Sequence, residues 1–332
     1  MNPAVSIIIP AKSVASYLRE NIKACQAGSY RNFEIIVLVD KPPREKFPKT
    51  CFIATGSTGP AQKRDMGARQ ARGKILAFID DDAYPTKYWL ARIIKNFEDP
   101  KIGAVGGPGV TPRGVGWREE ASGWVSASPL GSGEFMYRFL PLVKRFVDDY
   151  PSMNLAVRRS DFEKAGGFDS NFWPGEDTKL CLDLVKKLGR KIVYEPQAVV
   201  YHHRRPLWIP HLRQHGNFGI HRGYFARILP ETSARPVYFA PSALVLGLFF
   251  LTASFLFGLT GKENSGFFET LHLVVGIGLL AYFLMLVLNG FWIAFRSKKV
   301  LQGLMSIPAV FITHAWYGIR FIQGFIFTKR LS

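Results

Sequence analysis

The residues Ile75–Leu76–Ala77–Phe78–Ile79 run directly into Asp80–Asp81–Asp82. So apolar a run reads as a buried strand, which delivers three carboxylates at its end. Burial disfavours unpaired charge, and adjacent like charges raise one another's pKa. A divalent cation relieves both costs. Alternate residues of an extended chain share a face, which puts Asp80 and Asp82 toward one site. Mg2+ or Mn2+ suits one or two carboxylates completed by substrate phosphates. A solvated acidic turn is the plainer alternative, and the strand ahead of it argues against that reading.

Four further groups could join this chemistry. Asp40 ends the apolar run 34–39 and could accept hydrogen bonds from a base or ribose; it could equally be a turn residue before Pro42–Pro43. Lys63 and Arg64 open a helical stretch after Gly59–Pro60, where they could meet phosphates or pair with acidic strand ends. Glu176–Asp177 opens another helix; acidic residues there are ordinary capping, or a general base. The stretch 201–235 holds His202, His203, Arg204, Arg205, His211, Arg213, His215, His221, Arg222, Arg227 and Arg235, interleaved with aromatics. Such a patch fits anionic headgroups or nucleic acid. Its place beside apolar segments favours lipid over nucleic acid.

These groups need elements to position them. Apolar runs at 5–9, 34–39, 50–54, 75–79, 103–105 and 191–194 read as strands, with helical stretches at 17–27, 62–71, 88–97 and 178–188. Strands alternating with helices indicate an α/β domain with a mainly parallel sheet, whose ligands sit at the carboxyl ends of the strands. Beyond residue 235 charge nearly vanishes. Segments 237–259 and 270–295 carry no Lys, Arg, Asp or Glu, and 300–327 carries only Arg320 beside His314. Each exceeds the ~20 residues that cross a hydrocarbon core. About three transmembrane helices are therefore expected, the last interrupted by Pro308. The loop with Arg296, Lys298 and Lys299 sets the orientation, leaving the N-terminal domain in the cytoplasm. Three spans would place Lys329 and Arg330 outside, against that rule; the conflict disappears if the third segment does not fully span.

Composition agrees. Of 332 residues, 48% are hydrophobic and the net charge is +18, which excludes a disordered chain and implies an anionic partner. Three scattered cysteines support neither a disulfide framework nor a zinc site. The run 5–9 is too short for a signal-peptide core and reads as a strand.

The motifs occur in a recognisable order: Val5–Ser6–Ile7–Ile8–Ile9–Pro10, Glu34 through Asp40, Gly59–Pro60 through Gly67, and Phe78–Ile79–Asp80–Asp81–Asp82. Met153–Asn154–Leu155–Ala156, Gly166–Gly167–Phe168–Asp169 and Gly175–Glu176–Asp177 follow. Over about residues 4–205 the chain resembles the family 2 glycosyltransferases of GT-A fold. The resemblance implies a GT-A domain over 1–205, an amphipathic interfacial segment over 206–235 and a helical membrane domain over 236–332. It implies donor contacts from Pro10, Asp40, Lys63, Arg64, Asp80 and Asp81, and a metal on Asp80 and Asp82. Asp177, with Glu176, becomes the catalytic base. Asn154, His202, His203, Arg204, Arg213, Gln214 and Arg222 are expected at the acceptor. The Gln-x-x-Arg-Trp motif of processive synthases has no match near Gln214, so polymer synthesis is not expected. His314 to Gly324 also resembles the last membrane segment of succinoglycan-type glucosyltransferases. The implied reaction moves a sugar, with inversion, from a nucleoside diphosphate sugar to a polyprenyl-linked saccharide. A polyprenyl-phosphate monosaccharide synthase, an idle sugar-binding scaffold and, more distantly, a nucleotidyltransferase are the rivals.

Overall fold

Val- and Ile-rich runs become central strands because β-branched side chains fit a pleated, buried surface. The computed structural model describes residues 3–258 and 266–331. The first half runs β1 (Val5–Pro10), α1 (Ser16–Ala27), β2 (Phe33–Val39), β3 (Thr50–Ala54), α2 (Pro60–Gln70), β4 (Ile75–Ile79), β5 (Ala83–Pro85), α3 (Trp89–Asn96), β6 (Ile102–Gly106) and β7 (Gly109–Val110). Then come α4 (Trp117–Ala127), α5 (Pro129–Ser132), β8 (Arg145–Val147), β9 (Asn154–Arg158), α6 (Arg159–Ala165), α7 (Glu176–Leu182), β10 (Lys191–Tyr194) and β11 (Val200–His202). The rest is helical: α8 (Ile209–Ile228), α9 (Pro230–Ser233), α10 (Pro236–Gly258), α11 (Gly266–Ser297) and α12 (Val300–Ile326).

Two compact units result. The α/β unit takes the chain up to Arg113 and Tyr137–His203; the helical unit takes Gly114–Met136 and Arg204–Arg330. Residues 114–136 thus leave the α/β unit, which the continuous sequence range 1–205 did not anticipate.

In the α/β unit the main sheet has the order β3-β2-β1-β4-β9-β6-β10-β8. β1 pairs parallel with β2 and β4, β2 with β3, and β6 with β10. β9 enters antiparallel between β4 and β6, and β8 closes the edge antiparallel to β10. Every residue of β1 and β4 is buried, which is why both read as unbroken apolar runs. A small second sheet, β5-β11-β7, carries the chain beyond the end of β4.

The helical unit reverses this arrangement of polarity. Among the described residues two helices are long and apolar enough to cross a membrane, over Pro236–Leu256 and Phe268–Ser297. The third expected span, 300–327, is helical, but its buried side carries Gln302, Ser306 and Thr313. The loop with Lys262 and Glu263, and the end of the first expected span at Leu259, lie outside the described residues. The expected amphipathic pattern of 206–235 is not realised in α8. Its buried side consists of His211, Gly216, Gly219, Gly223, Phe225 and Ala226, so close helix packing rather than a large apolar stripe shapes it.

Candidate active site

The parallel strands β2, β1 and β4 end on one edge of the sheet, and the first acidic residues stand there. Asp40 follows β2 and Asp80 follows β4. Asn21 of α1 donates to the Asp80 carbonyl at 2.9 Å, and Ala83 N–H closes a turn onto the same carbonyl at 3.1 Å. That turn carries Asp81 and Asp82 into β5. Register then matters: β5 pairs with β11 so that Ala83 faces His202. The result sets His202 Nε2 3.1 Å from Asp82 Oδ1.

α2 supplies the counter-charges. Lys63 is buried; its ammonium donates to the Ala11 carbonyl at 2.6 Å and pairs with Asp40. Arg64, also buried, donates to Asp80 Oδ1 at 2.6 Å and to Glu176 Oε1 at 2.9 Å, with its guanidinium 5.7 Å from the Phe168 ring centre. One planar cation thus holds carboxylates from two distant motifs, the geometry for which arginine is suited. These contacts realise the pairing of Lys63 and Arg64 with acidic strand ends that the sequence allowed. Next along α2, Asp65 accepts the Phe168 N–H at 2.9 Å, and burial pushes its carboxyl up to about 6. Gly167, at φ +76°, lets the chain pass so close that a Cβ there would lie 2.8 Å from that carboxylate.

Glu176 and Asp177 occupy the first turn of α7. Burial, reinforced by the charge of Asp177, pushes Glu176 up to about 7 against the pull of Arg64. Asp177 is held by two backbone donors, Ser152 N–H at 3.1 Å and Thr178 N–H at 2.8 Å. Burial, then the neighbouring Asp149, raises its pKa. Asp149 is buried; it accepts the Thr178 hydroxyl at 3.1 Å and meets Arg138 at 3.3 Å. Neither Asp149 nor Arg138 was foreseen. The acidic pair Asp148–Asp149 just ahead of the Asn154 strand was the available signal.

Other expected residues stand elsewhere. Asn154 is fully buried; its amide donates to Gly107 O at 2.6 Å and Ala198 O at 2.8 Å, and its oxygen accepts Trp89 Nε1–H at 2.8 Å. With its donors and oxygen so engaged it joins β9 to its neighbours and is not an acceptor ligand. His203 stacks on Tyr17 at 4.0 Å and lies 3.1 Å from Glu20, so it fastens β11 to α1. Pro10 is buried in β1 opposite Leu38, and Asp81 is half-buried in its turn. In the helical unit, Arg204 N–H donates to Glu119 at 3.2 Å. Arg213 is exposed on α8, Gln214 half-buried, and Arg222 donates to Ser233 Oγ at 3.1 Å over the Tyr238 ring.

Among the described residues no three His, Cys, Asp or Glu groups converge as a closed metal cage. Asp82 beside an imidazole, with Asp80 two residues earlier, is instead an open donor set. It suits a hard or borderline divalent cation that completes its shell with substrate oxygens.

Residues 6–166 match the family described as Glycosyl transferase family 2. The pre-mycofactocin glycosyltransferase of Mycobacterium tuberculosis is 31% identical over 225 residues, covering 62% of this chain and 44% of that protein. The glucosyl-dolichyl phosphate glucuronosyltransferase of Haloferax volcanii is 25% identical over 224 residues, covering 60% of this chain and 68% of that protein. The chain therefore spans less than half the length of the mycobacterial relative. Among solved structures, the mannosyltransferase of Pyrobaculum calidifontis in complex with GDP-Man and Mn2+ superposes with a TM-score of 0.55 at 19% identity, covering 95% of this chain and 88% of that one. The chain carries a glycosyl transferase family 2 domain, built on the GT-A type of α/β fold.

Proposed function

We propose that this protein is a membrane-bound inverting glycosyltransferase that moves a sugar from a nucleoside diphosphate sugar to a polyprenyl-linked saccharide. The observation that carries this reading is Arg64, whose two ion pairs bring Asp80 and Glu176 to one place. It joins a metal-type acidic motif to a base-type acidic motif. A divalent cation, Mg2+ or Mn2+, held by Asp80 and Asp82 would neutralise the charge that develops on the leaving diphosphate. Asp40, steadied by Lys63, accepts hydrogen bonds from the nucleoside.

Asp177 takes the proton from the attacking hydroxyl of the acceptor. Its two backbone hydrogen bonds fix the carboxylate, and its raised pKa makes it a stronger base than a solvated carboxylate. Attack opposite the leaving group in a single displacement inverts the anomeric carbon. Arg204, Arg213, Gln214 and Arg222 take the anionic headgroup of the acceptor. The lipid-linked class is supported by the name of the haloarchaeal relative and by the two apolar helices. Arg296, Lys298 and Lys299 at the end of α11 favour a cytoplasmic catalytic unit on the inner membrane face.

The test is a panel of nucleotide sugars offered to detergent-purified protein with Mn2+, with and without membrane lipid extract. Release of nucleoside diphosphate from one donor, dependent on lipid and lost in Asp82→Ala, is the expected result. No release from any donor, with no thermal shift on adding nucleotide, overturns it in favour of a binding scaffold.

A further inference from the structure

The third apolar segment poses a question of its own, independent of the sugar chemistry. A helix of 27 residues could cross a bilayer, and α12 follows α11 after only two residues. If it crossed antiparallel to α11, its second half would end beside the first turns of α11. Its neighbours are different. Near its start, Gly303 packs so closely on α11 that a Cβ would lie 2.5 Å from Gly290 O and 2.6 Å from Ala294 Cβ. Phe311 then stacks on Phe283 at 5.7 Å. His314 Nδ1 lies 3.0 Å from the Tyr282 hydroxyl midway along α11, and beyond it α12 turns toward α10. Ser242 of α10 donates to Gly318 O at 3.2 Å, and Phe239 meets Phe321 at 4.8 Å and Phe325 at 5.9 Å. α12 thus runs from the second half of α11 to the first two turns of α10. In two successive antiparallel spans those places belong to the same side of the membrane.

α8 gives an independent constraint. It lies along the second half of α12 in the same direction: His211 Nε2 is 3.0 Å from Thr313 Oγ1, and Arg227 donates to Phe325 O at 3.0 Å. Between these points the backbones nearly touch. A Cβ on Gly223 would lie 2.1 Å from Phe321 O, and one on Gly324 would lie 2.1 Å from Ile220 O. α8 carries Arg213, Arg222 and Arg227. Whatever depth α12 takes over residues 313–328, those arginines share, and a hydrocarbon core does not accept them on a helix that is not a span.

Among the described residues one face of α12 is left largely exposed. Leu301, Leu304, Ile312, Trp316, Ile319 and Ile326 recur at helical spacing and are exposed, while the opposite face buries Gln302, Ser306, Thr313 and small residues. We infer that α12 is not a third span but lies along the membrane surface, seating this stripe in the boundary between headgroups and acyl chains. The bilayer is the occupant because the stripe is continuous with α10 and α11, which cross it, and because cations border it: Lys298 and Lys299 at one end, Arg320, Lys329 and Arg330 at the other. The chain then ends on the side from which α10 enters, and all these cations share that side.

Two readouts on the full chain in sealed vesicles test this. Epitope tags are placed before residue 1, between residues 259 and 265, and after Ser332. Protease added outside removes the first and third tags together and spares the middle one, or, in vesicles of the opposite orientation, removes the middle one alone. Opposite fates for the first and third tags mean three spans and overturn the inference; equal fates for all three mean no spans and do the same. The second readout places a fluorescent label on Ile312→Cys in a Cys51→Ser background, since the two remaining cysteines, Cys25 and Cys181, are buried. A nitroxide near the lipid headgroup quenches it more than one at the end of the acyl chain. A third span would put this mid-helix position at the bilayer centre and reverse that order, which refutes a surface location.

Discussion

The two units bury their polar groups in opposite ways. In the α/β unit the interior is Val, Ile, Leu and Phe, and the buried charges that remain are opposites in contact: Lys63 with Asp40, Arg64 with Asp80 and Glu176. In the helical unit the outside is apolar, with Phe249, Leu273, Leu280 and Leu288 exposed, and the interior holds neutral partners. There His211 is fully buried between Ser122 at 2.8 Å and Thr313 at 3.0 Å. Water outside accommodates ions at the sheet edge. Lipid outside, as the proposed function has it, would leave uncharged hydroxyl–imidazole bonds as the way to satisfy polar groups between helices.

The contrast breaks most visibly at Arg64. Replacing it with Met leaves two carboxylates in a buried setting without their cation, which costs about 3–5 kcal/mol of stability. Urea unfolding of the solubilised protein, followed by near-UV circular dichroism, measures this. A loss below ~1 kcal/mol would mean that the bracket is not what holds the site.

In the helical unit the sensitive positions are uncharged. Gly223→Ala forces α8 and α12 apart and costs about 1–3 kcal/mol, as overpacking does. Gly276→Ala on α11 meets nothing within 4 Å and gains up to about 1 kcal/mol from helix propensity. Thermal melting of the pair in one detergent checks the difference; equal shifts would remove the close-packing argument.

Asp149 offers a kinetic effect instead. Its charge raises the pKa of Asp177, so Asp149→Asn lowers it. Turnover needs the ionised base, and its acid limb therefore moves to lower pH. A limb that stays in place contradicts the assignment of Asp149 as the group that tunes Asp177.

The smallest effect is a divergence with pH. Asp65, near 6, and Glu176, near 7, bind protons in the folded state where unfolded carboxyls have released them. Their contribution is full below the ordinary carboxylate range and is lost as pH rises through about 4 to 7. His211 and His221, both pushed down to about 4 by burial, are neutral when folded and protonated when unfolded below about 6.5. Their contribution is full above that pH and is lost as pH falls toward 4. Hydrogen exchange, corrected for its intrinsic pH dependence, should between pH 7 and 5 show α2 better protected and α8 less. Parallel changes in both helices would refute the contrast.

The same contrast explains what could be read in advance. The runs that became β1, β2 and β4 were legible because both sheet faces are buried, so their apolar residues are unbroken. The placement of Asp40, Asp80 and Asp177 at element ends was legible because acids there are conspicuous. β9 was not, since its apolar core is three residues long between Asn154 and Arg158. The pairing of Arg64 with Glu176 was not, because an ion pair across 112 residues leaves no local pattern. Asn154 misled because a motif position says nothing about hydrogen bonds already made by the fold. Over α12 hydropathy averages across a helix whose two faces differ. Only its neighbours reveal that polar side chains are turned inward.

The central claim is that Asp177 is the base at a metal-dependent transfer site. Donor binding in the presence of Mn2+ and steady-state turnover, measured side by side on the wild type and on Asp177→Asn, test it most directly. The account predicts that turnover falls about 10²–10⁴-fold while donor affinity stays the same. Wild-type turnover in Asp177→Asn would contradict it.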